Sequence, residues 1–365
     1  MTAGSGEPAG TGEPAGTGEP AATGEPAATV CFACGEPVGA TDSFCESCGA
    51  ELAPLAVSDG RGGASPVCES CSSERISPDG YCESCGRKVR SGRDHQETDL
   101  GKVAGVTDRG LRHHRNEDAM ALGTADTAAA GPAVVAVVCD GVSSSAQPDE
   151  ASLAAARAAA RVLLAAVRTG RDLFEAAPAA VRAAAEAVAR LGRPTGPPAD
   201  PPSSTFVSAV LTSEAAVVCW LGDSRAYWLA TGPGSAAQQL TKDDSVAQEL
   251  VAAGLLSEAD ALASAQGHVV TRWIGADLTN PEPHVMRFEP PGPGALLLCS
   301  DGLWNYEPAA AKLAELALPA ALTDPLGAAR TLTSFALDAG GMDNITVVLA
   351  PFPVSADPMP RRRQR

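Results

Sequence analysis

Apolar residues recur along the chain in two patterns, which together predict a mixed fold. Short runs rich in β-branched and other apolar residues predict strands at Ala133–Cys139, Phe206–Leu211, Ala215–Leu221, Ala295–Cys299 and Ile345–Leu349. Longer amphipathic stretches predict helices at Asp149–Thr169, Leu173–Leu191, Val246–Ala253 and Pro325–Ala339. The strands come in consecutive groups and do not alternate strictly with helices. This order favours an α+β fold, with paired antiparallel sheets and helices outside, over a doubly wound parallel sheet.

The segments outside this pattern divide the chain further. Residues 1–29 repeat Gly, Glu, Pro and Ala with Thr, and so little apolar surface predicts a disordered acidic leader. Residues 30–90 are rich in cysteine, 91–101 are read as a linker, 102–352 as one large domain and 353–365 as a basic flexible tail. Gly, Ser, Pro and charged residues predict a further linker at 53–66.

Composition narrows the classes of function. The 365 residues carry 27 basic and 44 acidic side chains, a net charge of −17. This charge disfavours general binding to nucleic acid or to anionic membranes. No stretch approaches the roughly 18 apolar residues that a membrane helix needs, and the N-terminal segment lacks the pattern of an export signal. We therefore expect a cytoplasmic protein that is not bound to membranes.

Eight of the eleven cysteines form two quartets with the same spacing, Cys-x2-Cys-x10-Cys-x2-Cys. The quartets are Cys31, Cys34, Cys45 and Cys48, followed by Cys68, Cys71, Cys82 and Cys85. Two facing Cys-x2-Cys turns supply four thiolates for one tetrahedral Zn²⁺ ion, so we expect two structural zinc ions. A disulfide framework would need an oxidising compartment, and redox-active thiols of this spacing would need a βαβ context. The arrangement resembles the double zinc ribbon family.

The role of this cysteine-rich part is less specific. Residues 31–90 carry nine acidic and five basic side chains, which makes nucleic-acid binding the weaker interpretation. We expect a docking or regulatory module with a protein partner. Cys139, Cys219 and Cys299 occur singly in apolar runs and are expected to be buried hydrophobic residues.

Acidic residues mark the ends of several predicted strands. Asp140, Asp223 and Asp301 follow three of them, and Asp343 precedes a fourth. One Asp-Gly pair after a strand is an ordinary turn signal. Carboxylates that converge at one rim, together with Glu117-Asp118, repel one another unless cations bind between them. All-oxygen ligand sets favour Mg²⁺ or Mn²⁺.

Seven sequence blocks, in order, give the large domain a specific resemblance. The blocks are Thr107-Asp108-x-Gly110 with Asn116-Glu117-Asp118, Val138-Cys139-Asp140-Gly141, Gly222-Asp223-Ser224-Arg225-Ala226-Tyr227, Leu240-Thr241-x3-Ser245, Val270-Thr271-Arg272-x2-Gly275, Ser300-Asp301-Gly302-Leu303-Trp304 and Asp343-Asn344-Ile345-Thr346. Over residues 102–352 the chain therefore resembles the type 2C metal-dependent Ser/Thr protein phosphatases. The resemblance implies a four-layer αββα sandwich, in which two antiparallel sheets are flanked by helices.

The resemblance also implies a centre of two Mn²⁺ or Mg²⁺ ions, bridged by Asp140. Its further ligands would be Asp301, Asp343, the Gly141 carbonyl, and Glu117 and Asp118 largely through waters, with Asp223 at a third, weaker metal position. Two such ions lower the pKa of a bridging water and hold the phosphate for in-line attack. No covalent phosphoenzyme is then needed.

Two departures from the family pattern concern the active site. His113 stands where the family usually has a phosphate-binding arginine, and either Arg112 or Arg115 is expected to replace it. Residues 142–145 read Val-Ser-Ser-Ser, so this position offers no histidine as a general acid and metal-bound water would protonate the leaving group. The five histidines are read as solvated, with His113 and His114 as alternative helpers.

These features favour hydrolysis of phosphoserine or phosphothreonine on proteins, acting against Ser/Thr kinases in a bacterial cytoplasm. The displaced arginine motivates a second hypothesis, a catalytically weak or inactive scaffold that kept the fold. The retained acidic residues argue against that loss. A third hypothesis assigns the main function to the zinc module, with a partner protein or nucleic acid as its target.

Overall fold

The computed structural model describes residues 29–30, 36–38, 45–47, 55–59, 68, 71–77, 81–87, 89, 92–127, 131–192, 201–230, 236–257, 260–261, 264, 269–276 and 281–354. Contacts divide the chain into two units, Met1–Leu52 and Ala53–Arg365. In the first unit, β1 (Thr29–Val30) and β2 (Pro37–Val38) form a short antiparallel pair. The sheets and helices described below belong to the second unit.

The second unit is built on two six-stranded antiparallel sheets. In spatial order, the first sheet consists of β3 (Leu55–Val57), β6 (Asp118–Thr127), β7 (Gly131–Asp140), β9 (Phe206–Leu211), β10 (Ala216–Leu221) and β14 (His284–Phe288). The second consists of β4 (His95–Asp99), β5 (Ala104–Asp108), β16 (Ile345–Phe352), β15 (Gly294–Cys299), β11 (Arg225–Ala230) and β12 (Gln238–Gln239). A separate short pair joins β8 (Ser203–Ser204) and β13 (Ile274–Gly275).

Helices cover the outer face of each sheet. The described residues include α1 (Pro148–Thr169), α2 (Leu173–Leu191), α3 (Val246–Ala252), α4 (Asp301–Trp304), α5 (Ala310–Ala321) and α6 (Pro325–Asp338). In α1, alanines at positions 151, 155 and 159 form a fully buried stripe, because residues four apart share one helix face. The small side chains allow α1 and α2 to pack closely on the first sheet, while α5 and α6 pack on the second.

A middle core between the two sheets completes the sandwich. Along β6, Ala119 and Ala121 face the helices, whereas Met120 and Leu122 face the other sheet, as the two-residue period of a strand requires. Trp228 and other side chains of the second sheet contribute to the same core. The layers are therefore helices, sheet, sheet and helices, and the expected α+β fold with two antiparallel sheets is confirmed.

The start of the sandwich differs from the prediction. Strand β3 lies within residues 53–66 and β4 within 91–101, both predicted as linkers, yet each forms the edge of a sheet. Residues 55–57 pair with 121–123, and residues 95–99 pair with 104–108. β3 has three residues, and β4 has the mostly polar sequence His-Gln-Glu-Thr-Asp. Neither carries an apolar pattern strong enough to be recognised as a strand. The sandwich therefore begins at Leu55, and the second cysteine quartet lies between its first two strands.

Candidate metal centre

Strand pairing brings the acidic residues to one edge of the sandwich. Asp118 begins β6 and Asp140 ends β7, and the two residues are directly opposite in the antiparallel ladder. Asp301 follows β15 as the first residue of α4, and Asp343 lies two residues before β16. Since β15 and β16 are antiparallel neighbours, these two acids share an edge of the second sheet. Asp223 lies in the turn between β10 and β11, which connects the sheets.

The carboxylates raise one another's pKa. Burial raises the pKa of Asp140 well above its ordinary value, and the charges of Asp118, Asp301, Asp343 and Asp223 add to this effect. The pKa of Asp301 is raised well above its ordinary value by burial and then by Asp343. Burial is also the largest cause that raises the pKa of Asp118 and of Asp223 to about 7. Such a cluster stabilises a bound divalent cation, which replaces mutual repulsion by attraction.

Two carboxylate oxygens in this cluster are buried without a hydrogen bond. Oδ2 of Asp118 accepts hydrogen bonds from Ser300 Oγ and Thr346 Oγ1, each 2.7 Å long. Oδ1 of Asp118 and Oδ1 of Asp301 have no hydrogen-bond partner among the described residues. A buried carboxylate oxygen is ordinarily satisfied, and an oxygen left over in an acidic cluster is a natural ligand for Mg²⁺ or Mn²⁺. The residues present therefore fit the expected metal centre.

Glu117 and Gly141 lie against each other beside this cluster. The Glu117 carboxylate accepts a hydrogen bond from Arg115 Nε at 2.9 Å and one from Ser143 Oγ at 2.5 Å. The Gly141 amide donates to the Glu117 carbonyl at 3.2 Å. A Cβ atom at position 141 would collide with the Pro148 carbonyl, so only glycine permits this close approach. The backbone of residue 141 is thereby held next to Asp140.

A cavity of about 470 Å³ opens beside Glu117, lined by Arg112, His113, His114, Arg115 and Glu117. The Arg115 side chain is engaged with Glu117 and lies 3.5 Å from Asp149. His113 Nε2 lies 3.1 Å from Asp343 Oδ1. Arg112 is exposed, and its guanidinium forms no ion pair or hydrogen bond with the described part of the chain. Arg112 is therefore the cationic group of this cavity that is available to an anionic ligand.

Three histidines do not fit the interpretation as solvated residues. His113 contacts Asp343 as described, His95 Nδ1 lies 2.7 Å from Asp108 Oδ2, and His284 Nε2 lies 2.8 Å from Asp244 Oδ1. The partners are carboxylates supplied by other segments, those of Asp108 and Asp244 being buried, so the sequence alone carries no signal for these contacts.

Asn344 is a site residue to which the sequence analysis gave no role. Its side chain is 2% exposed, and Oδ1 accepts a hydrogen bond from the Glu117 amide at 2.7 Å. Nδ2 donates to the carbonyls of Arg109 and Arg115 at 2.8 and 3.1 Å. One side chain thus fixes the loop that carries the cationic cavity. The signal that could have identified Asn344 is its position directly after Asp343, in one of the seven blocks that carry the family resemblance.

The second cysteine quartet converges in space. The Sγ atoms of Cys68, Cys71, Cys82 and Cys85 all lie within 4.8 Å of one another. The Cys68–Cys85 and Cys71–Cys82 sulfur pairs are 3.5 and 3.4 Å apart, beyond the roughly 2 Å of a disulfide bond. Within the described ranges, no other group of three or more His, Cys, Asp or Glu side chains brings its ligand atoms this close together. The carboxylates are thus spread along their edge and do not form one closed cage.

The other cysteines divide into two sets. Cys45 of the first quartet is buried, while Cys31, Cys34 and Cys48 lie outside the described residues. Cys139, Cys219 and Cys299 are fully buried in the cores, and burial raises the pKa of each thiol. Their predicted burial is confirmed.

Among the described residues, no helix has both the length and the apolar character to cross a membrane.

Comparison with known proteins agrees with this geometry. A family model described as protein phosphatase 2C matches residues 111–328. The Ser/Thr protein phosphatase PstP of Mycobacterium tuberculosis is 30% identical over 249 residues, which are 68% of this chain and 44% of that protein. The chain spans about half the length of the curated relatives it matches.

Solved structures show the same fold. The crystal structure of the M. tuberculosis phosphatase PstP/Ppp matches with a TM-score of 0.55 and 29% identity, covering 68% of this chain and 97% of that one. A crystal structure of the PstP catalytic domain in complex with two manganese ions matches with a TM-score of 0.55 and 28% identity, covering 68% and 96%. Because the family match extends over more than half of the sequence and includes Asp118, Asp140, Asp223 and Asp301 of the acidic edge, the chain belongs to the protein phosphatase 2C family.

Proposed function

We propose that the protein hydrolyses phosphoserine and phosphothreonine in protein substrates, in the cytoplasm and against Ser/Thr kinases. The observation that carries this proposal is the buried edge where Asp118 and Asp301 each keep an oxygen without a hydrogen bond and Asp140 lies opposite Asp118. A cation-lined cavity beside Glu117 offers a place for the substrate phosphate. The names of the relatives, and the manganese in one related crystal structure, support the same activity.

The residues proposed to hold two Mn²⁺ or Mg²⁺ ions are Asp140 as the bridging ligand, Asp301, Asp343, the Gly141 carbonyl, Glu117 and Asp118, with Asp223 at a third position. When bound, such ions supply an activated water and neutralise charge on the transferred phosphoryl group. The chain contributes the orientation of its ligands. Ser300 and Thr346 hold one oxygen of Asp118, while the other is buried without a hydrogen bond among the described residues, and partners of this kind tune metal affinity.

We assign the two candidate arginines different roles. Arg112 is proposed to bind the substrate phosphate, since its guanidinium lines the cavity without a partner among the described residues and its planar fork suits a phosphate dianion. Arg115 is proposed as a positioning residue, because its Nε already donates to Glu117. His113, at the usual arginine position, pairs with Asp343.

The direct test of the activity is phosphate release from a phosphothreonine peptide by the full-length chain. We expect release that requires Mn²⁺ or Mg²⁺ and that stops when the ions are removed by dialysis. Mn²⁺ binding, measured separately by calorimetry, distinguishes the second hypothesis. A chain that binds Mn²⁺ at this edge but releases no phosphate would be a scaffold that kept the fold.

Replacing Arg112 by alanine is expected to lower kcat/KM for the phosphopeptide about 10- to 100-fold, the loss of one charge-assisted contact to phosphate. Lysine should restore part of this loss, because it keeps the charge without the fork. Arg115→Ala should instead raise the Mn²⁺ concentration needed for half-maximal activity. Steady-state kinetics at varied concentrations of peptide and of Mn²⁺ distinguish the roles of Arg112 and Arg115. Arg171→Ala, at an exposed position, is the control. The assignment is wrong if Arg115→Ala, and not Arg112→Ala, weakens inhibition by inorganic phosphate.

We further propose that the sulfur cluster Cys68, Cys71, Cys82 and Cys85 binds one structural Zn²⁺ ion. In a tetrahedral site with Zn–S bonds near 2.3 Å, the sulfurs lie about 3.8 Å apart. The two described sulfur pairs, at 3.4 and 3.5 Å, need only a small expansion. The identical spacing of the first quartet supports a second zinc ion there, and the excess of acidic side chains supports a protein partner over nucleic acid.

A further inference from the structure

The chain leaves the sandwich toward the second cysteine quartet at a fixed point next to the acidic edge. Ser58, directly after β3, forms three hydrogen bonds with the backbone of Met120. Its amide donates to the Met120 carbonyl at 3.0 Å, its Oγ accepts from the Met120 amide at 2.8 Å, and its Oγ also donates to that carbonyl at 3.3 Å. Asp59 accepts a hydrogen bond from Arg157 of α1 at 2.8 Å. The outgoing arm, Ser58-Asp59, is therefore anchored two residues from Asp118.

The chain returns from the quartet at a second fixed point. The Arg93 carbonyl accepts a hydrogen bond from Asn116 Nδ2 at 3.1 Å. Nη2 of Arg93 donates to the Asp149 carbonyl at 2.9 Å, and Nη1 lies 3.6 Å from Asp149 Oδ2 and 3.8 Å from Glu150. The Arg93 side chain is only 20% exposed. Arg93, which we call the return arm, is thus anchored to Asn116, the residue that precedes Glu117.

Asp149 joins the return arm to the metal centre. One of its carboxylate oxygens faces Arg93, and the other lies 3.5 Å from Arg115 Nη1, while Arg115 Nε donates to Glu117. A continuous series of ion pairs therefore runs from Arg93 through Asp149 and Arg115 to Glu117. Changes at Arg93 bear on the orientation of a proposed metal ligand.

The two arms anchor close together on α1. Asp59 pairs with Arg157 and Arg93 with Asp149, and eight residues of α-helix span about 12 Å. Between the arms, the sulfur cluster is the main tie that the described residues provide. Among the residues that the structure describes, the accompanying apolar cluster consists of Cys68, Cys82, Val89 and the partly buried Ile76. A module with so little apolar burial depends on its metal for folding.

We propose that the metal site formed by Cys68, Cys71, Cys82 and Cys85 is a regulatory site of the phosphatase. Zn²⁺ bound at this site holds both arms and thereby keeps Glu117 and Asp118 in position to bind Mn²⁺. Loss of the ion by chelation frees the arms and lowers Mn²⁺ affinity. Arg93 is the positioning residue through which the site acts. This inference rests on the proposed function only where it concerns turnover. Mn²⁺ affinity and the protection of backbone amides from hydrogen exchange are measured without any phosphatase activity.

The first measurement establishes the site in the full-length chain. The zinc content of the wild-type protein should exceed that of Cys82→Ser/Cys85→Ser by one ion per chain. Co²⁺ in place of Zn²⁺ should give the visible absorption of a tetrahedral thiolate site, which the double variant loses. Arg75→Ala is the matched control, because it removes an exposed ion pair of the same module, with Arg75 73% exposed, and should retain the ion. Equal zinc content in wild type and double variant would overturn the site.

The second measurement tests the coupling. Mn²⁺ affinity is followed by the resonance signal of free Mn²⁺, and amide hydrogen exchange is read over residues 116–124. We expect Cys82→Ser/Cys85→Ser to weaken Mn²⁺ binding several-fold and to speed exchange in that segment, and Arg93→Ala to do the same. Combining the changes should add little, since residues in one network are not additive. Reversible zinc removal from the wild-type protein by a thiol-specific mercurial covers the case in which the double variant misfolds.

The outcomes separate the two proposals. Full additivity, or unchanged Mn²⁺ affinity and exchange after zinc removal, would overturn the regulatory inference, whatever the turnover. If the wild-type chain releases no phosphate but Mn²⁺ affinity and exchange still follow zinc, the proposed activity fails and the coupling stands.

Discussion

Replacing Asp140 by asparagine is expected to abolish Mn²⁺-dependent phosphate release and, at the same time, to stabilise the metal-free protein. Asparagine preserves the shape of the side chain but removes the charge that would bridge two cations, and we expect a loss on the order of 1000-fold in kcat. Without metal, Asp140 repels the charges of Asp118, Asp301, Asp343 and Asp223. Removing that repulsion should raise the free energy of unfolding by about 1 kcal/mol or more.

Opposite signs for activity and stability make this test selective. Urea unfolding of Mn²⁺-free protein at pH 8 gives the stability, and phosphopeptide turnover gives the activity. Asp126→Asn is a matched control, because Asp126 lies on β6 but is 84% exposed, and it should change neither quantity. An Asp140→Asn variant that loses activity and also stability would indicate a structural role for Asp140.

The Mn²⁺-free protein is expected to lose stability as the pH rises from about 4 to about 7. Asp118 and Asp223 have a folded-state pKa of about 7 against an ordinary value of 3.8. Between these values the folded state binds more protons than the unfolded chain. The stability contributed by these two groups is therefore fully present below pH 3.8 and is lost as the pH rises through 7. Each group contributes up to about 1.4 kcal/mol per pH unit, which amounts to several kcal/mol in total.

Unfolding by urea at pH 5 and pH 8, with and without Mn²⁺, measures this effect. Mn²⁺ should flatten the dependence, because the cation stabilises the ionised carboxylates, and Asp118→Asn should flatten it in the absence of metal. The lowered pKa of Glu97, caused chiefly by its hydrogen bond from Arg330, works in the opposite direction but only below its ordinary value of 4.5. Equal stability at pH 5 and pH 8 without Mn²⁺ would contradict the raised pKa values.

The parts of the fold with a strong local signal could be predicted from the sequence. Phe206–Leu211 and Leu173–Leu191 have the predicted bounds, because a fully buried strand and an alanine-rich amphipathic helix are written in their own residues. β6, with the sequence Asp-Ala-Met-Ala-Leu-Gly-Thr-Ala-Asp-Thr, was missed since it has almost no β-branched residues. It is a strand because β7 pairs with it along its whole length. Helix α5 was obscured by Pro319 near its end.

The residues of the site likewise divide into those with a local sequence signal and those without one. Its acidic residues were recognisable because each ends or precedes an apolar strand within a family block. The partners of those acids were not recognisable, because Thr346 lies 228 positions from Asp118 and Asn344 lies 227 from Glu117. Such contacts are created by the register of distant strands. The choice between Arg112 and Arg115 likewise depends on Asp149, which a sequence pattern does not connect to either.

Strands β3 and β4 have a consequence for solubility. They form one edge of each sheet, next to β6 and β5, whose residues 118–123 and 104–108 are buried. An uncovered strand edge offers unpaired amides and carbonyls to other chains and is a route to aggregation. The polar β4, with an alternating pattern of exposed residues, is a safer border. The two short strands that flank the cysteine module therefore shield the sandwich from self-association, a task distinct from any chemistry at its acidic edge.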